Sequence, residues 1–112
     1  MKGFQNNILF YNIAMSYVIK HYTYNQARNY GVIVKPSKNP KKKIDVFDKF
    51  NHYLCSAGDS KFNDFPTYLE MERKGQVPTG YAEERRRLYR IRHNKETKHF
   101  GSPSWASWNL LW

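Results

Sequence analysis

The chain has 112 residues and carries 19 Lys and Arg against 9 Asp and Glu, a formal net charge of +10. That length holds at most one compact domain, and a field of that sign selects polyanions: nucleic acid, anionic lipid or an acidic protein surface. Cys55 is the single cysteine and the four histidines show no ligand spacing, which excludes an internal disulfide and a Cys-x-x-Cys metal site, while 17% aromatic residues exclude a plain disordered basic tail.

Residues 1–40 hold five cations (Lys2, Lys20, Arg28, Lys35 and Lys38) and no acid. Unbalanced charge near an end reads as an arm, and residues 1–29 are assigned as an apolar N-terminal arm, extended or helical, before a single small basic domain at 30–112. Its apolar stretch spans about 12 residues and is broken by Asn12 and Ser16, short of the roughly 20 that a membrane-spanning helix needs. Ser16-Tyr17-Val18 is a poor signal-cleavage context. The arm is therefore expected to lie on a neighbour, with Ile8, Phe10 and Tyr11 as anchors.

Tyr30 to Lys35 is a short β-type run ending at Pro36, which cannot donate to a sheet ladder. PSKNPKKK at 36–43 reads as a solvated, extended loop presenting Lys38, Lys41, Lys42 and Lys43 beside Lys35. In Ile44-Asp45-Val46-Phe47 the alternation places Ile44 and Val46 on one face. Residues 48–52 suit a turn, and His52 to Ser56 reads as a return strand closed by Gly58-Asp59. The expected unit is an antiparallel hairpin or three-stranded meander within about 30–63. The turn has no Asn-Gly or Asp-Gly pair, so its register is open.

Thr67 to Gly75 follows as a short helix, with Asp64 or Thr67 as cap and Gly75 as stop. Tyr81 to Lys95 is the clearest helix: Thr79 is placed to cap it, and Glu83 and Glu84 sit where the helix dipole favours negative charge. Tyr81, Leu88 and Ile91 make a narrow apolar stripe. Arg85, Arg86, Arg87, Arg90 and Arg92 cover much of the rest, and lysine is absent between Tyr81 and Asn94. Guanidinium forks suit phosphate or an acidic surface; the alternative is a solvated helix paired with its own glutamates. In SWASWNLLW, residues 104–112, Trp105, Trp108 and Trp112 fall on one helical face. That face serves either the chain's own core or, because Trp dominates binding hot spots, a neighbouring subunit. The fold class is thus α+β: a small antiparallel sheet, then two or three short helices.

The segments KPSKNPKKKIDVFD, GDSKFNDFPTY, ERRRLYRIRHNKE and GSPSWASWNLLW, in that order, resemble a family of short basic proteins of large double-stranded DNA viruses of algae and protists. The family's turn corresponds to Gly58 with Phe62, Asp64 and Phe65, its arginine-helix pair to Arg92-His93, and its terminus to Leu110-Leu111-Trp112. The match covers Val34 to Trp112, and the first ~30 residues lie outside it. The resemblance implies a small protein carried in the virus particle. The apolar and aromatic ends on a small basic body add the expected function, a minor structural protein on the inner side of the capsid that cements larger capsid proteins, with contact to an internal viral membrane in reach. The alternative is a packaged protein that binds DNA without sequence preference. No Walker loop, HExxH or nucleophile elbow is present, so no enzyme activity, cofactor or small-molecule substrate is expected.

Overall fold

The computed structural model describes residues 17–112. The arm residues Ile8, Phe10 and Tyr11 lie outside the described residues. Helix α1 (His21–Tyr30) leads into strands β1 (Ile33–Pro36), β2 (Lys42–Phe47) and β3 (Tyr53–Asp59), followed by α2 (Phe65–Arg73), α3 (Tyr81–His93) and α4 (Pro103–Ala106), which runs on as a π-helical turn, Ser107–Leu111. The strands form an antiparallel meander in the order β1-β2-β3. The domain is α+β, as its sequence predicts.

Helix α1 corrects the arm boundary, because residues 21–29 belong to the domain. Thr23 and Ala27, one turn apart, are buried in the main core with Ile19. Thr23 is tolerated there because its hydroxyl donates to the Leu110 carbonyl at 2.8 Å, and Gln26 donates to the Asn109 carbonyl at 3.0 Å. These carbonyls end the π-helical turn and have no partner within it, so α1 satisfies the last helix of the chain. Gly31, at φ 70°, ends α1; its amide and that of Val32 return to the Arg28 and Ala27 carbonyls. Only a residue free of Cβ strain takes this left-handed position readily.

β1 starts three residues later than the apolar run because Tyr30 and Gly31 are used by the helix end. Pro36 is accommodated because β1 is an edge strand. Val34, Ile44, Val46, Cys55 and Ala57 form the inner face, with Ile44, Val46 and Ala57 fully buried. The register pairs Val34 with Val46 and Val46 with Cys55, then shifts so that Phe47 faces Tyr53. Leu54 is the extra residue of this bulge. It packs against the core, and the shift turns Tyr53 to the outer face beside Phe47. Gly58, at φ 83°, is required twice over: a Cβ there would also lie 2.7 Å from Leu111 Cδ1.

Burial, and then the neighbouring Asp45 charge, push the Cys55 thiol up to about 11. A thiol that is both buried and protonated is a poor nucleophile. Maleimide labelling of the native protein is expected to be negligible at neutral pH and to become complete on denaturation. Fast labelling of the folded state would show that the sheet opens locally at β3.

Asp64 caps α2, its carboxylate accepting from the Thr67 amide at 3.0 Å. α3 is capped differently from the expectation on Thr79. Gly80 stands at the cap without a side chain, and Glu72 of α2 reaches across to accept from the Ala82 amide at 2.5 Å. The buried residues of α3 are Ala82 and Tyr89; of the expected stripe, Tyr81 packs edge-on to Tyr68 at 5.3 Å and Leu88 is half-buried, whereas Ile91 is 61% exposed. The helix also turns Arg85, Arg86, Arg90 and Tyr89 toward the aromatic rings of α2 and the C-terminal turn. In the last element the change to i→i+5 bonding sends both Leu110 and Leu111 into the core and rotates Trp112 onto Tyr89, with which it stacks at 4.4 Å.

Candidate functional site

The arginines of α3 serve mainly as lids on rings of the same chain. Arg86 lies 4.0 Å above Phe65 and forms a two-oxygen pair with Glu83 at 2.8 and 2.9 Å. Arg87 pairs with Glu84 at 2.6 and 2.9 Å. Arg85 lies 5.8 Å from Tyr68, and Arg90 lies 4.9 Å from Trp108 while donating to the Trp112 carbonyl at 3.4 Å. A planar guanidinium can lie flat on a ring where an ammonium cannot. This explains the choice of arginine over lysine, the signal that the sequence carried. Of the five, Arg92 alone is exposed with neither a ring nor an acid as partner among the described residues.

The tryptophans are likewise occupied. Trp105 is 7% exposed, edge-on to Tyr30 and Phe100. Trp108 is half-buried between Arg90 and Lys98, whose ammonium is 4.1 Å from the ring. Trp112 is held on Tyr89. None of these rings stands free to enter a neighbour.

Lys43 also departs from its expected place in an exposed loop. It is a β2 residue whose ammonium binds Asp64 at 2.9 Å, their side chains 5% and 1% exposed. Tyr17 donates its hydroxyl to the same Asp64 oxygen at 2.6 Å, and its ring lies 5.3 Å from the Lys43 ammonium. Burial, reinforced by the Asp64 charge, pushes the Tyr17 phenol up, so it stays a donor. A buried pair is tolerated where further hydrogen bonds satisfy it, and here Asp64 receives Lys43, Tyr17 and the Thr67 amide. A cleft of about 400 Å³ opens beside the pair, lined by Lys43, Asp59, Tyr89, Arg92, His93 and Trp112. Its polar groups are largely engaged within the chain: Lys43 with Asp64, His93 with Glu96.

A further set of exposed cations stands around the sheet, while Arg28, Arg73, Arg92 and Lys95 are exposed on or beside the helices. The turn at 37–41 is built rather than extended: Asn39 Oδ1 accepts from the Lys41 amide, the Asn39 carbonyl from the Lys42 amide, and Ser37 Oγ from the Asn39 amide. It displays Lys38 and Lys41, and Lys42 follows as the first residue of β2; all three are exposed and none is paired with an acid among the described residues. The Ser60 amide donates to the Lys41 carbonyl, which brings the adjoining Lys61 to the same end of the sheet.

The outer face of the sheet carries two cross-strand rows. One is Ile33, Phe47 and Tyr53; the other is Lys35, Asp45 and Ser56. Lys35 lies 4.8 Å from the Phe47 ring and reaches Asn51 at 3.4 Å. Asp45, the acid of this face, is 8% exposed and accepts from Ser37 and Ser56, both at 2.6 Å, and from the Lys38 amide. Burial alone would raise its carboxyl, but these donors hold it below the ordinary carboxylate value. Beyond Phe47, Phe50 is 70% exposed at the tip of the 48–52 loop. No motif in the sequence marks Phe47, Phe50 and Tyr53 as site residues. The Ile44/Val46 alternation implies an outward Phe47, but the bulge that turns Tyr53 outward leaves no pattern in the sequence.

Among the described residues no helix is long and apolar enough to cross a membrane, and no group of three His, Cys, Asp or Glu side chains could hold a metal ion. No family model, curated protein or solved structure matches the chain.

Proposed function

We propose that this protein binds nucleic-acid phosphates with little sequence preference, as a component packaged in the particle of a large DNA virus. The observation that carries the reading is the division of the cations. Arg85, Arg86, Arg87 and Arg90 are engaged by rings and acids of their own chain, whereas Lys35, Lys38, Lys41 and Lys42 stand exposed around one sheet with no acidic partner among the described residues. Such an array tracks a phosphate backbone and carries no base code. The virus particle is the setting that the family resemblance implies.

The test is the salt dependence of duplex binding by the wild type and by K38Q/K41Q/K42Q. Neutralising a lysine that binds one phosphate should reduce the slope of log K against log salt by about 0.9. The triple variant is expected to bind more weakly with a slope shallower by up to about 2.7, as for three phosphates, and with unchanged thermal stability, because all three side chains are exposed. An unchanged slope would show that the turn does not touch the duplex.

A second reading, a cement between capsid proteins, draws on exposed apolar side chains away from the lysine turn: Val18, Ile91 and Phe100 are each 60% exposed or more. An interface resting on such groups would keep the protein with the shell at high salt, where phosphate binding would release it.

A further inference from the structure

We propose that the outer face of the sheet is a stacking platform for unpaired bases, so that the preferred ligand is single-stranded nucleic acid. This deepens the phosphate-binding reading and rests on it. The platform is Tyr53 and Phe50, backed by the half-buried Phe47 and flanked by His52, with Lys35 and Lys49 as its cations. Phe47 and Tyr53 sit edge to face with ring centroids 5.9 Å apart in one cross-strand row, and Tyr53 is 60% exposed. That row exists because the β3 bulge rotates Tyr53 away from the core face occupied by Cys55.

Phe50 is held out by a built loop. Asp48 accepts from the Phe50 and His52 amides, both at 2.9 Å, and the Asp48 and Asn51 amides close the loop on the His52 and Asp48 carbonyls. Asn51 takes the left-handed conformation, φ 67°, that this turn needs and that Asn tolerates better than most residues. The hydrogen bonding of His52 and Phe50, led by the His52 amide, keeps the Asp48 carboxyl below its ordinary value, so the loop remains pinned at neutral pH. A ring displayed by a fixed loop costs little entropy to use.

Charge selects the occupant. Lys35 lies over Phe47 and Lys49 is 5.3 Å from the Phe50 ring, and the lysine turn stands at the opposite end of the sheet. Asp45, its central acid, is covered by two serine hydroxyls. An apolar protein partner would have to bury these ammonium groups, whereas a nucleic-acid strand offers phosphates to the lysines and bases to the rings. Bases in a duplex are already stacked and offer no face to a platform.

The experiment measures fluorescence anisotropy of a labelled oligothymidylate of about twelve nucleotides, and of a mixed-sequence duplex of equal length, against wild type, F50A/Y53L and Y53F. The wild type is expected to bind the single strand more tightly at the same salt. F50A/Y53L should lose at least about tenfold on the single strand and little on the duplex, while Y53F, which keeps the ring, should retain binding. Both rings are exposed, and an unchanged circular dichroism spectrum will show that the variants are folded. Equal affinity of F50A/Y53L and wild type for the single strand overturns the platform and leaves phosphate binding by the lysine turn standing, to be read from the duplex slope. No salt-dependent binding of either nucleic acid overturns both.

Discussion

Replacing Asp64 with Ala is expected to cost about 3–5 kcal/mol of folding stability, the usual result of removing one partner of a buried ion pair. The loss has three parts. The Lys43 ammonium, 5% exposed, would be left without a counter-ion, the Tyr17 hydroxyl would lose its acceptor, and α2 would lose the cap on its Thr67 amide, itself worth about 1 kcal/mol. Lys43→Met is expected to cost less, about 1–3 kcal/mol, because Asp64 would keep the Tyr17 hydroxyl and the Thr67 amide. Urea denaturation of both variants checks the asymmetry. At about 4–8 °C per kcal/mol for a domain of this size, Asp64→Ala should also melt more than about ten degrees below wild type. Equal losses in the two variants would mean that the pair is more hydrated than its burial indicates.

The second large effect is at the C-terminal turn. Trp105→Ala should destabilise the isolated protein by about 3–5 kcal/mol, the transfer and cavity cost of a buried aromatic side chain. Trp105 is 7% exposed, packs on Tyr30 and Phe100, and precedes Ala106, Leu110 and Leu111 in the same core. Trp108→Ala should cost less, since that ring is half-buried and covered by the side chains of Arg90 and Lys98. The comparison separates two roles for the tail. A segment kept for docking into a capsid neighbour would leave the stability of the isolated chain nearly unchanged when truncated, whereas a core segment would not. Thermal melts of the two variants, with no partner present, are sufficient.

The cations show how the same residue type acquires different uses. Lys41 and Lys43 are two residues apart in a run of three lysines. Lys41 lies in the exposed turn, whereas Lys43 enters β2 and is drawn to Asp64, 21 residues later, forming a buried pair. A charge count weighs them equally. Arg92 and Arg86 lie on one helix, yet Arg86 covers Phe65 and Arg92 is exposed. What separates them is the packing of α2 and the tail against one face of α3.

The sequence by itself determined the parts governed by local chemistry. The alternation in Ile44 to Phe47 set the inward face of β2, the proline and lysine cluster set the turn between β1 and β2, Asp64 and Gly75 bounded α2, and the run from Tyr81 to Lys95 set α3, which ends two residues earlier at His93. The tertiary structure alone decided the parts that depend on distant partners. α1 reads as arm in the sequence because its Asn, Tyr and Thr content is poor in helix signals; it is part of the domain because Thr23 and Gln26 bond carbonyls 87 and 83 residues away. Glu72 of another helix, rather than Thr79, caps α3. The π-helical turn redirected Trp112, and a one-residue bulge turned Tyr53 outward to complete the aromatic row. In each case a long-range interaction outweighs a local preference, because burying a polar group or a large ring without a partner costs more than the few tenths to one kcal/mol, roughly, by which local propensities differ.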